Sequence, residues 1–120
     1  MSSNKVAYAV TIPPTGDCTY FHDTVVTLQQ VQGIVGGYLE EIPTPLDGGF
    51  YVNEEGIYST SEVNHDASAL ALRLNGINPD DASPDFQLVG TAYFETQNIA
   101  EGWRIRDYLQ ARGRTLTPAK

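Results

Sequence analysis

Turn-forming residues divide this chain into short segments, and the periodicity inside each segment decides what fold the whole can adopt. Pro13-Pro14-Thr15-Gly16-Asp17 ends the first segment, Gly36-Gly37 the second, and Pro43-Thr44-Pro45 with Asp47-Gly48-Gly49 brackets a later turn. Lys5 to Ile12 alternates and is rich in Val, Tyr and Thr, which predicts a strand. The segment up to Asp23 is ambiguous. Thr27 followed by Gln30 fits a capping box, and Leu28, Val31 and Val35 then recur at the spacing of a buried helix face. Tyr38 to Ile42 and Phe50 to Asn53 read as a hairpin with a loop of about six residues. Ala67, Leu70, Ala71 and Leu74 predict a helix capped by Asn64 and stopped at Asn75-Gly76.

Residues 77–85 read as a polar loop. Phe86 to Glu95 is the clearest strand, with Gly90 inside it. Asn98 and Glu101 fit an N-cap and its N3 partner for a last helix running to about Arg112 and stopping at Gly113. These elements do not alternate as repeated βαβ units. The expectation is one α+β domain, with a small mixed or antiparallel sheet of about four strands and two or three helices. Residues 1–97 would form its body, 98–113 a helix packed on that body or on a partner, and 114–120 a basic tail.

The net charge of −8 matters through its distribution. Residues 1–98 hold 13 acidic side chains and 2 basic ones (Lys5, Arg73), a net of −11, whereas residues 99–120 hold 2 acidic and 5 basic ones, a net of +3. With charged residues at 18% of the chain, against about 25% in ordinary domains, the deficit is one of Lys and Arg. That argues against direct binding of nucleic acid, which needs cations to replace counterions. No apolar run approaches the roughly 18 residues of a membrane span, and Met1-Ser2-Ser3-Asn4-Lys5 lacks the regions of a signal peptide. Cys18 is the single cysteine and forms no internal disulfide. A cytoplasmic domain is expected.

Catalytic motifs are missing. There is no Gly-x-Ser-x-Gly elbow for His65 and Asp66 to serve, no dinucleotide fingerprint and no Walker loop. Asn78, Asp80 and Asp85 lack the third ligand and glycine of a calcium loop. Cys18, His22 and His65 would need a distant carboxylate to hold zinc, so neither metal nor cofactor is expected. Glu40 and Glu41 are adjacent on a strand and point to opposite faces. Glu54-Glu55 sits in a turn and can converge on a ligand. Most of Tyr38, Phe50, Tyr51, Tyr58, Tyr93 and Phe94 would serve the core, with one or two left to stack on a planar ligand.

The run Leu28-Gln29-Gln30-Val31-Gln32-Gly33-Ile34-Val35-Gly36-Gly37-Tyr38-Leu39-Glu40 is unusually specific, and Tyr51-Val52-Asn53-Glu54-Glu55-Gly56, Asn64 and Leu88-Val89-Gly90 follow it in order. This pattern resembles a family of small phage and mobile-element proteins whose domain has no assigned function. The resemblance spans roughly residues 6–94. It implies a strand, a short helix ending in Val-Gly-Gly-Tyr, a hairpin carrying Asn-Glu-Glu-Gly, and a late strand with Val-Gly. His65 stands where the family often has Arg. The loop at 77–85 and the helix after Asn98 are additions to the common pattern.

The resemblance implies a phage or plasmid accessory protein in a bacterial host. Without a catalytic signature, the expectation is a protein that binds rather than catalyses, serving counter-defence by sequestering a nucleotide-like signal. Tyr38, Asn53, Glu54, Glu55, Gly56, Asn64 and His65 are its candidate ligand residues. Trp103, Arg104, Arg106, Tyr108 and Arg112 are candidates for an anion site or a contact between copies in a homo-oligomer. One alternative is an acidic inhibitor of a host defence protein, with DNA mimicry as its extreme form. Another is a small hydrolase using Glu54 or Glu55.

Overall fold

The alternating N-terminal segment forms β1 (Asn4–Ile12), and the Pro13–Asp17 break returns the chain as β2 (Cys18–Val26). The two strands are antiparallel, with Tyr8 opposite His22 and Val10 opposite Tyr20. The computed structural model describes residues 4–54, 62–83 and 86–119. Helix α1 (Leu28–Val35) begins with the expected capping box: Gln30 N donates to Thr27 Oγ1 at 3.1 Å and Thr27 N donates to Gln30 Oε1 at 2.7 Å. The hairpin β3 (Leu39–Glu41) and β4 (Gly48–Asn53) follows, then α2 (His65–Leu74), a single 3-10 turn at Pro79–Asp81, β5 (Ala92–Thr96), α3 (Ile99–Ala111) and β6 (Leu116–Pro118).

The domain is α+β with a mixed sheet of order β3-β4-β5-β1-β2-β6. Neighbours are antiparallel except β2 and β6, which are parallel. The sheet has six strands rather than about four. The first unforeseen strand is β2, where exposed His22 and Asp23 break the alternation between its buried ends. The second is β6, three residues within the segment read as a tail. Pairing with β2 sets its conformation, and no local pattern reports that. The late strand is also shorter than expected. Gly90 takes a φ of 79° and turns the chain, while Leu88 is held by its amide to Ser68 Oγ at 2.8 Å on α2. Phe86, read as strand, is exposed.

Helices cover both faces. One core layer packs α2 and α3 on the sheet through Leu70, Ile105 and Leu109 against Val10, Phe50 and Phe94. The other packs α1 through Val31 and Val35 against Ala9 and Tyr93. The last helix is thus seated on its own domain. Asn98 caps it as expected, accepting from Ala100 N at 3.0 Å and Glu101 N at 3.4 Å. Glu101 does not reach back to Asn98. Its carboxylate instead accepts from Thr96 Oγ1 at 2.9 Å and Asp47 N at 3.4 Å, tying the helix start to β5 and the β3–β4 loop. No described helix is long and apolar enough to cross a membrane.

Candidate functional site

The two sequence signatures meet. An ideal Cβ on Gly37 would lie 2.9 Å from Asn53 Nδ2, so a larger residue there would displace the Asn53 amide from the helix end. Asn53 Nδ2 donates to Val35 O at 3.4 Å, and Glu54 N donates to Tyr38 O at 3.0 Å. Val-Gly-Gly-Tyr and Asn-Glu therefore join the end of α1 to the hairpin. Tyr38 projects from this junction with 70% of its surface exposed. Glu55, Gly56 and Tyr58 lie outside the described residues.

Asn64 and His65 belong to a different place, the start of α2 on the other face of the sheet. Asn64 is fully buried. Its Oδ1 accepts from Ala67 N at 3.0 Å, and its Nδ2 donates to Ile12 O at 2.7 Å and Gly90 O at 2.9 Å. These contacts occupy the side chain in joining α2, β1 and the Gly90 turn, whereas His65 is exposed.

The basic candidates on α3 also separate. Arg104 is exposed. Arg112 pairs through Nε with Asp66 Oδ1 and lies over the Tyr108 ring, 5.8 Å from its centroid, while Arg73 approaches the same ring at 6.0 Å. Arg114, which no motif marks, is the more deeply placed cation. It donates to Asp66 Oδ2 at 2.8 Å, Pro13 O at 2.7 Å and Gly16 O at 2.9 Å. Burial alone would raise the Asp66 carboxyl, but hydrogen bonds from Arg114 and Arg112 outweigh it and hold the group below its ordinary range.

Trp103 and Arg106 line a cleft. They lie on α3 above β1 and β2, where Tyr8, Tyr20, His22, Gln110 and Leu116 complete a cavity of about 290 Å³. Gly102 sets this geometry. A Cβ there would fall 2.4 Å from Tyr8 Cβ, so glycine lets α3 press onto β1 and carry the next residue over the cleft. A glycine inside a helical pattern was the one sequence signal for this approach. Tyr8 and Tyr20 stack with ring centroids 6.1 Å apart. The Arg106 guanidinium lies 5.7 Å from the centre of the Trp103 ring, which is 48% exposed. Arg106 Nε donates to Asp107 Oδ1 at 3.0 Å, and Nη2 approaches the same oxygen at 3.0 Å. Burial pushes the Tyr8 hydroxyl up to about 12, with Arg106 pulling the other way. Aromatic walls beside a guanidinium suit a planar anion.

A buried carboxyl, Glu95, lies on the α1 side of β5, between Ala9 of β1 and Gly49 of β4. It is 5% exposed, and its Oε1 makes no hydrogen bond of good geometry. Burial raises it above the ordinary carboxylate range, and the Tyr93 hydroxyl draws back part of that rise. An acid whose folded value is raised binds protons more tightly in the folded state, so stability falls as pH climbs from its unfolded value towards its folded one. Glu95→Gln should remove that fall and be more stable at neutral pH by about 1 kcal/mol or more. Urea unfolding of both proteins at pH 4 and pH 8 measures it.

Comparison of the chain with protein families, with curated proteins and with solved structures gives no match.

Proposed function

We propose that this protein acts by binding rather than by catalysis, and that it sequesters a small nucleotide-like molecule in the cleft beneath α3. The observation that carries this reading is the meeting of Tyr8, Tyr20, Trp103 and Arg106 around one cavity of about 290 Å³. That is close to the lower end of small-ligand sites. A base would lie on the aromatic rings and its anionic part near the guanidinium. In the accessory-gene setting suggested by the Val-Gly-Gly-Tyr and Asn-Glu-Glu-Gly signatures, such binding would serve counter-defence in the bacterial cytoplasm by removing a signal.

Calorimetry of the full chain with mononucleotides, cyclic nucleotides and ADP-ribose tests the proposal. Saturable binding is expected, and Trp103→Ala should weaken it by roughly tenfold or more through the loss of a base-stacking face. Flat heats across the panel, or binding that Trp103→Ala leaves untouched, would overturn the reading.

A further inference from the structure

We infer that the cleft contains an anion subsite, where Tyr8 Oη and the Arg106 guanidinium together receive the phosphate of a nucleotide whose base lies against Tyr20 and Trp103. This rests on the cleft being the ligand site proposed above and adds which part of the ligand is recognised, and by what.

The argument begins with the hydroxyl. Tyr8 is 3% exposed, and its Oη has no hydrogen-bond partner among the described residues. Folded proteins rarely bury a donor without an acceptor, because the group has given up water for nothing. Three other atoms of the described residues share this condition, but none of them lines the cleft. Tyr93 Oη lies beside Glu95, whose own Oε1 is another of the three, and Tyr108 lies between Arg73 and Arg112. Tyr8 instead lines the cleft.

Among its polar neighbours there, Arg106 is a charged group that can only donate. Arg106 spends Nε and Nη2 on Asp107, leaving Nη1 without an acceptor among the described residues. That ion pair is solvent-exposed on both sides and so is weak competition for a ligand. One acceptor oxygen between them can satisfy Arg106 and Tyr8 together, and the guanidinium holds an anionic oxygen more strongly than a neutral one. No carboxylate lines the cleft to supply an anionic oxygen. The walls are rings, with Tyr20 stacked on Tyr8 and Trp103 under Arg106. A flat group beside an anion is the shape and charge this arrangement complements.

The conservative variant Tyr8→Phe separates recognition from structure, because it keeps the ring and removes only the hydroxyl. The probes are the four common ribonucleosides and their 5′-monophosphates, titrated into the full chain, with thermal unfolding of the ligand-free proteins alongside. Wild type should bind a monophosphate at least tenfold more tightly than its nucleoside. Tyr8→Phe should lose most of that ratio while holding the nucleoside as before, and Arg106→Gln should lose it too. Ligand-free Tyr8→Phe should melt higher than wild type, since it no longer buries an unpartnered hydroxyl.

Equal binding of nucleoside and monophosphate, or a ratio that survives Tyr8→Phe, would overturn the anion subsite and leave the cleft reading standing. A lower melting temperature for Tyr8→Phe would also overturn it, by showing that the hydroxyl serves the fold. Binding of neither probe would defeat both readings together.

Discussion

Asn64→Asp is expected to destabilise the fold by about 3–5 kcal/mol, although aspartate is among the best helix N-caps. The cap contact itself would survive, because a carboxylate oxygen accepts from Ala67 N as well as the amide oxygen does. The loss is on the other side of the side chain. Nδ2 donates to both Ile12 O and Gly90 O, and a carboxylate there would turn two hydrogen bonds into two repulsive oxygen contacts at a fully buried position. Asn64→Ala should cost less than Asn64→Asp, since it removes the bonds without burying a charge. Urea unfolding at neutral pH measures both. An Asn64→Asp midpoint equal to that of wild type would mean that Asn64 is a cap and nothing more.

Arg114→Met should cost a similar amount, about 3–5 kcal/mol at neutral pH, because it removes one side of an ion pair that is mostly shielded from water. The Arg114 side chain joins α2 and the β1–β2 turn to the chain leading into β6. Its loss would leave Asp66 leaning on Arg112 alone. The pH dependence identifies the cause. Asp66 is held below its ordinary range in the folded protein, so its contribution is present above the unfolded value near 3.8 and is lost as pH falls through the folded value. The gap between wild type and Arg114→Met should therefore narrow as pH is lowered from 7 to 3. A gap independent of pH would place the effect in the bonds to Pro13 O and Gly16 O.

What could be read in the sequence was what neighbouring residues decide among themselves. Thr27 and Gln30 form their capping box three residues apart, Asn64 and Asn98 cap the helices they precede, and the β3–β4 loop has the expected length. What escaped was decided by residues far apart in the chain. Strand β6 exists because β2 lies beside it, and Gly90 ended a strand that alternation would have carried further back. The candidate ligand residues of the two signatures were real neighbours only in part: Asn53 and Glu54 join Tyr38, while Asn64 caps a helix on the opposite face. The cleft was visible only through Trp103 and Arg106. Tyr8, Tyr20 and His22 come from the first 22 residues, and nothing local announces that a helix beginning at Ile99 will settle on them.

The place of β5 has a consequence for how the chain is made. Hairpins β1–β2 and β3–β4 are each built from contiguous sequence, but they touch the same sheet only through β5, which runs between β4 and β1. As the polypeptide leaves the ribosome, the two hairpins emerge long before the strand that unites them. Until residue 96 is available each presents a bare edge, a state open to mispairing with another chain. Folding of the sheet is thereby deferred until the chain has been made through Thr96. The cleft, which needs α3 as its roof, can form only after the two halves have been joined.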